Sequence, residues 1–232
     1  MKISLVKEAQ LEDVCSLYKE TIADMQARDL DQWTWGVYPY ESLLQNDVKL
    51  GQLYCFTDEG GALCGVFAAC VGQDADYDPL AWQYGTKPVC LHRLAIRPSC
   101  GRHGLARQAI EFTKQIGLQN GCDCFRVDTY SHNVRALALF GSVTVRRVGV
   151  LHFPPRTDDF IAFEAPLTDD CPLLPFRMSP AYRYGDMTPW GGDALKRIYG
   201  KAIPDARTGE ALEISCIPKL ESLTDMGETL PD

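Results

Sequence analysis

Between Leu91 and Ile116 the chain reads LHRLAIRPSCGRHGLARQAIEFTKQI, a short apolar run, a turn bracketed by glycines, and a run with helical spacing. Leu91, Leu94, Ala95 and Ile96 predict a strand, and Pro98 ends it because its ring nitrogen cannot donate to a sheet ladder. Beyond Gly101 and Gly104, the residues Leu105, Ala109, Phe112 and Ile116 recur at helical intervals and define one buried stripe. The helix therefore begins at or near Gly104, and Asn120-Gly121 closes it as C-terminal caps do.

A strand, a glycine loop and a helix start together make an anion cradle. The first helical turn has N–H groups without intrahelical partners, at the positive end of the helix dipole. Glycines let a ligand approach the backbone, and Arg97, Arg102, His103 and Arg107 add positive charge. The same features also describe an ordinary turn whose basic residues face solvent. GRHGLA lacks the Lys-Ser/Thr ending of a Walker A loop and the G-x-G-x-x-G of a dinucleotide fold, so neither familiar phosphate loop fits.

The rest of the chain reads as alternating strands and helices. A strand is expected over Ile3–Val6, then a helix burying Leu11, Val14, Leu17, Tyr18, Ile22 and Met25. Trp33, Trp35, Tyr38 and Tyr40 crowd an irregular span before a helix that Gly51 closes, and this aromatic density packs a core or lines a pocket. Strands over Leu53–Thr57 and Ala62–Cys70 flank the turn residues Asp58 to Gly61. In the loop VGQDADYDPLAWQYGTKP, Asp74, Asp76 and Asp78 alternate with Tyr77 ahead of Trp82 and Tyr84, as a solvated acidic loop or as one that attracts a cationic amine. CFRVDTY reads as a strand, Ser131 or Asn133 as the cap of a helix burying Val134, Leu137, Ala138 and Phe140, and Arg146–Leu151 with Phe160–Glu164 as closing strands around Pro154 and Pro155.

GRHGLA resembles motif A of the GCN5-related N-acetyltransferases, Q/R-x-x-G-x-G/A, with Gly101 in place of the leading Gln or Arg. HNVRALALF resembles their motif B, N-x-x-A-x-x-L-Y, with Asn133, Ala136 and Leu139 in register and Phe140 in place of the tyrosine. WGVYP, the aspartate loop, HRLAI and HFPPRTDDFIAFE add to the resemblance, which spans residues 1–166. It implies an α/β fold with a central, mostly antiparallel sheet flanked by helices, and acetyl-CoA as co-substrate. Leu94, Ala95 and Ile96 would orient the coenzyme; Gly101, Arg102, His103, Gly104, Leu105 and Ala106 would hold its pyrophosphate; Asn133 and Phe140 would lie along its arm. The implied reaction is direct attack by a primary amine of a small molecule or peptide. His92, Asp76 and Asp128 are candidate bases and Tyr130 a replacement acid for the missing tyrosine. Trp33, Trp35, Tyr77 and Trp82 are candidates for the acceptor pocket. Because a phenyl ring has no proton to give, a non-catalytic acetyl-CoA-binding module is the alternative.

From Leu167 the character changes. Residues 167–180 form a proline-rich linker, and residues 181–232 resemble the N-terminal part of cupin-type mannose-6-phosphate isomerases, through Trp190-Gly191-Gly192, Tyr199-Gly200-Lys201 and Ile203-Pro204. This resemblance implies a truncated fusion without isomerase activity, because all four histidines lie before it. A net charge of −8 argues against a nucleic-acid or anionic-membrane surface. The ten cysteines are scattered rather than paired in metal spacing, so no metal is expected. Cys100, just before a helix start, is placed either for a lowered pKa or for packing. The N-terminus is too polar for a signal peptide and no run is long enough to span a bilayer, which predicts a cytoplasmic protein. Its expected partners are acetyl-CoA, an unidentified amine acceptor and, as an assembly option, a second copy in a homodimer.

Overall fold

The computed structural model describes residues 1–101, 103–153 and 158–167. Arg102, the turn at Pro154-Pro155, the linker after Leu167 and the isomerase-like segment lie outside the described residues. The apolar periodicities become β1 (Lys2–Leu5), α1 (Leu11–Gln26), α2 (Glu41–Lys49), β2 (Leu53–Thr57), β3 (Leu63–Val71), β4 (Pro88–Ile96), α3 (Leu105–Gln119), β5 (Cys124–Tyr130), α4 (Val134–Val143), β6 (Arg146–His152) and β7 (Asp159–Pro166). The strands form one seven-stranded sheet in the order β1-β2-β3-β4-β5-β7-β6. Every neighbouring pair is antiparallel except β4 and β5, which run parallel around the α3 crossover.

Alternation along the strands divides the core in two. Leu5, Phe67, Leu91 and Val127 face α3 and α4, where Ala109, Phe112, Ile116 and Phe140 cover them. Val66, Cys90, Ala95 and Tyr130 face the other way, against Leu17, Tyr18 and Ile22 of α1, Leu44 of α2, and Trp33. Leu167, placed at the head of the linker by its sequence, is buried with the first group and donates its N–H to Asp123 O at 2.9 Å.

Asn133 is the cap of α4: its side chain accepts the Ala136 N–H at 3.1 Å. The predicted stripe of that helix is rotated. Val134 is 71% exposed and Ala138 faces solvent, while Ala136, Leu137, Leu139 and Val143 lean on the core beside buried Phe140. An almost wholly apolar helix carries no contrast from which to read its phase.

The loop between β3 and β4 is fastened to the sheet by carboxylates. Glu164, fully buried, accepts the Gln83 and Tyr84 N–H groups and the Arg146 guanidinium. Asp123 accepts the N–H groups of Thr86 and Lys87 at 3.1 and 2.7 Å. Burial pushes the Asp123 carboxyl up, but those donors outweigh it and hold it below its usual value. The clamp therefore contributes stability above about pH 4 and gives it up as the pH falls further. Gly85 is part of this clamp: it has φ +61°, and a Cβ there would stand 2.1 Å from Asp123 Oδ1. Gly85→Ala is expected to cost about 1–3 kcal/mol in denaturant unfolding.

Candidate active site

The parallel pair β4 and β5 stays in register from Pro88 opposite Cys124 to Leu91 opposite Val127, and no further. Both strands continue, β4 to Ile96 on β3 and β5 to Tyr130 on β7. From His92 and Asp128 onward they are no longer paired, and the facing edges of this gap carry main-chain groups that no longer serve the β4–β5 ladder.

One end of this gap meets the start of α3. Gly104 caps the helix with φ 66° and ψ 14°, a left-handed conformation that favours glycine. The first bond of the helix runs from Gln108 N–H to Gly104 O, so the N–H groups of Leu105, Ala106 and Arg107 have no intrahelical acceptor. Leu105, buried, pins this turn to the core. Before it, Cys100 is in contact with Cys64, their sulfurs 2.9 Å apart, so the thiol packs against β3.

At the point where the strands part, on the α1 face, lies a cluster of titratable groups. The Tyr77 hydroxyl donates a short hydrogen bond to Asp128 Oδ1, and the Tyr77 ring lies 5.8 Å from that of His92. Burial pushes the Asp128 carboxyl up to about 6; the bond from Tyr77 opposes this and the charge of Asp74 adds to it. His92 is driven the other way, to about 4, by burial and then by the Arg93 charge. Its Nε2 is buried, without a hydrogen bond among the described residues, 3.8 Å from Asp74 Oδ2. At neutral pH His92 is thus an uncharged imidazole, and Asp128 is a carboxylate whose proton affinity has been raised toward the working range.

Residues 15–142 match the model of the acetyltransferase (GNAT) family. The chain belongs to the GNAT acetyltransferase family. No curated protein matches it in sequence, whereas solved structures match its fold. A GNAT-family acetyltransferase from Streptococcus agalactiae superposes with a TM-score of 0.60 at 22% identity, covering 72% of this chain and 96% of its own. The yncA acetyltransferase of Salmonella typhimurium, solved with its cofactor acetyl-CoA, gives 0.52 at 14% identity over 73% of this chain and 95% of its own. The ribosomal-protein-S18-alanine N-acetyltransferase of Escherichia coli gives 0.51 at 16% identity over 72% and 93%.

Within this GNAT fold the expected site residues fall into separate places. Leu94 and Ile96 lean toward the α3 core and Ala95 toward α1, all on the part of β4 beyond its pairing with β5. Gly101, His103, Gly104, Leu105 and Ala106 form the approach to α3. Asn133 joins the loop after α1 by donating to Gln32 Oε1 at 2.7 Å. Phe140 is 5% exposed, its ring 6.4 Å from Phe163. Tyr130 donates to Asp31 at 2.9 Å, and Asp76 lies exposed on the short turn Ala75–Tyr77. The Tyr77 and Trp82 rings lie 5.5 Å apart at a tilt of 39°, and Trp33 packs edge-on to Tyr18 at 5.9 Å. Trp35, half-buried, has the Lys19 ammonium over its ring at 5.1 Å. Arg93 and Asp47 belong to neither motif A nor motif B, although one basic residue inside an apolar strand is itself a signal of a buried partner.

Proposed function

We propose that this protein is an acetyl-CoA-dependent N-acetyltransferase that delivers the acetyl group to a primary amine of a small molecule or peptide. The observation that carries the reading is the parting of β4 from β5 with a helix start at one end and the Asp128–Tyr77 pair at the other. The residues fit the coenzyme. The N–H groups of Leu105, Ala106 and Arg107, without an acceptor among the described residues and reached over Gly104, suit a pyrophosphate, and the edge of Leu94 to Ile96 that β5 does not pair suits a pantetheine amide. Motif A adds Gly101, Arg102 and His103, and motif B adds Asn133. The acetyl-CoA bound to the Salmonella relative supports the same assignment. Bound acetyl-CoA supplies an acyl group activated as a thioester.

The chain's own part is proton handling and orientation. An amine arrives as an ammonium and must lose a proton before it can attack. Asp128 is the base: Tyr77 fixes one of its oxygens, and its raised proton affinity suits a proton taken near neutrality. His92, neutral, offers Nε2 as a hydrogen-bonding group beside it, and Asp74 adds the negative charge that draws a cation in. Phe140 supplies no proton, so CoA leaves as its thiolate when the C–S bond breaks and takes its proton from water. Trp82 and Tyr77, with Trp33 and Trp35 across the cleft, are proposed to bound the acceptor. The division into a domain over 1–166, a linker and a truncated segment over 181–232 belongs to the same reading, with no isomerase activity assigned.

Calorimetric titration with acetyl-CoA, followed by thiol release across a panel of amines, tests this. Binding with turnover is expected. Absence of binding at millimolar coenzyme contradicts the reading, and binding without turnover favours the coenzyme-binding module that Phe140 raises. Motif A itself gives a second prediction. Gly101 has φ −65°, and a Cβ there would meet only Pro98 O at 3.4 Å, so a side chain fits. Gly101→Gln, which restores the motif's leading side chain, should lower the Kd for acetyl-CoA by about two- to tenfold, the range of one added hydrogen bond.

A further inference from the structure

Nothing in the proposed chemistry uses the arginine inside LHRLAI. The Arg93 side chain is 6% exposed, and its backbone is left-handed at φ 55°. Where the register of β3 and β4 shifts, Arg93 and Leu94 together stand opposite Phe67, a β-bulge that begins two residues beyond Leu91, the last residue of β4 paired with β5. A residue with a Cβ stays in that conformation only when its surroundings hold it there.

The surroundings here come from three elements on the α1 face. Tyr18 of α1 donates its hydroxyl to the Arg93 carbonyl at 2.7 Å. Asp47 of α2, 1% exposed, faces the guanidinium with Oδ2 at 2.7 Å from Nε and Oδ1 at 3.0 Å from Nη2, and Gln52 donates to the same Oδ1 at 2.8 Å. Tyr38, in the segment between α1 and α2, accepts from Nη1 at 3.3 Å. The carbonyl of one strand residue and its side chain are thus tied separately, to different helices. The residues so fixed are those that begin the free edge of β4, where Leu94 and Ala95 would meet the thioester.

We infer that Tyr18, Asp47 and Arg93 are positioning residues for acetyl transfer: they hold the β4 bulge so that the following main-chain amides point at the thioester carbonyl. This rests on the reading of the cleft as an acetyl-CoA site. Breaking the ion pair strands a buried charge, so Asp47→Ala tests folding more than positioning. Tyr18→Phe is the discriminating variant because it keeps the ring and removes only the bond to the Arg93 carbonyl.

The experiment compares wild type and Tyr18→Phe by three readouts: the Kd for CoA, the carbon-13 signal of acetyl-CoA labelled at the acetyl carbonyl, and kcat where an acceptor is turned over. Tyr18→Phe is expected to bind CoA within about twofold of wild type, because the phosphate end is untouched. Its bound carbonyl signal moves back toward the free position, and kcat falls about ten- to a hundredfold with little change in KM, as for a misplaced reacting group. Arg93→Lys, which keeps the charge but loses the two-pronged contact, should move the signal in the same direction. A lower melting temperature with an unchanged carbonyl signal and kcat would overturn the inference and leave a purely structural tie. Failure of the wild type to bind acetyl-CoA removes the reading of the cleft and the inference together, whereas binding with no difference between the proteins removes the inference alone.

Discussion

Asp128→Asn is expected to lower kcat by about 10²–10⁴-fold, the usual contribution of a positioned base, while leaving the Kd for acetyl-CoA within about twofold. Asparagine keeps an oxygen that can accept the Tyr77 hydroxyl, so the cluster keeps its shape and loses its proton acceptor. The pH profile sharpens this. With Asp128 raised to about 6 by burial, the wild-type rate should climb about tenfold per unit below that value and level off above it. In the variant that limb disappears. Stability moves oppositely. A carboxyl whose folded pKa lies above its unfolded one favours folding when protonated, so its charge costs stability above about pH 6 and the cost fades toward pH 4. Asp128→Asn should therefore melt at or above wild type at pH 7, with the difference closing at low pH. A dead enzyme that is no less stable is the signature of a residue retained for chemistry.

The second large effect belongs to Gly104. At φ 66° and ψ 14° it turns the chain into α3. Gly104→Val places a β-branched side chain in the left-handed region, at a strain of about 1–3 kcal/mol, and puts its methyl groups before the N–H groups meant for a phosphate. The helix start either relaxes out of position or stays in place and is screened. Both outcomes weaken acetyl-CoA binding, by about ten- to a hundredfold if the strain falls on the bound form. The melting temperature should fall only modestly, because Leu105, Ala109 and Phe112 still anchor the helix. Calorimetry alongside thermal unfolding separates the two.

Local chemistry made much of this legible in the sequence. Strand, glycine turn and helix over 91–116 were readable because Pro98, Gly104 and Asn120 punctuate a clear apolar spacing, and Asn133 stands at the cap of α4. β4 begins earlier than Leu91, at Pro88, since a proline is tolerated as the first residue of a strand. What the sequence withheld was long-range pairing. That β4 and β5 separate after Leu91 and Val127 follows from the register of the whole sheet. Asp128 owes its raised pKa to burial in the folded sheet and its fixed oxygen to Tyr77, 51 residues away, and Arg93 finds its partner in Asp47, 46 residues away. The three alternating aspartates of the loop could not be ranked from spacing, because all three are exposed and only the folded chain decides which of them reaches another group: Asp74, 68% exposed, comes within 3.8 Å of His92, and Asp78 accepts from Gln73.

Whether the gap between β4 and β5 is an acetyl-CoA site is measured most directly by a titration followed by backbone amide NMR. Acetyl-CoA should shift the amide signals of Gly104, Leu105 and Ala106 at the helix start together with those of Leu94, Ala95 and Ile96 on the free edge of β4. Saturable shifts confined elsewhere, or none at millimolar coenzyme, would contradict it.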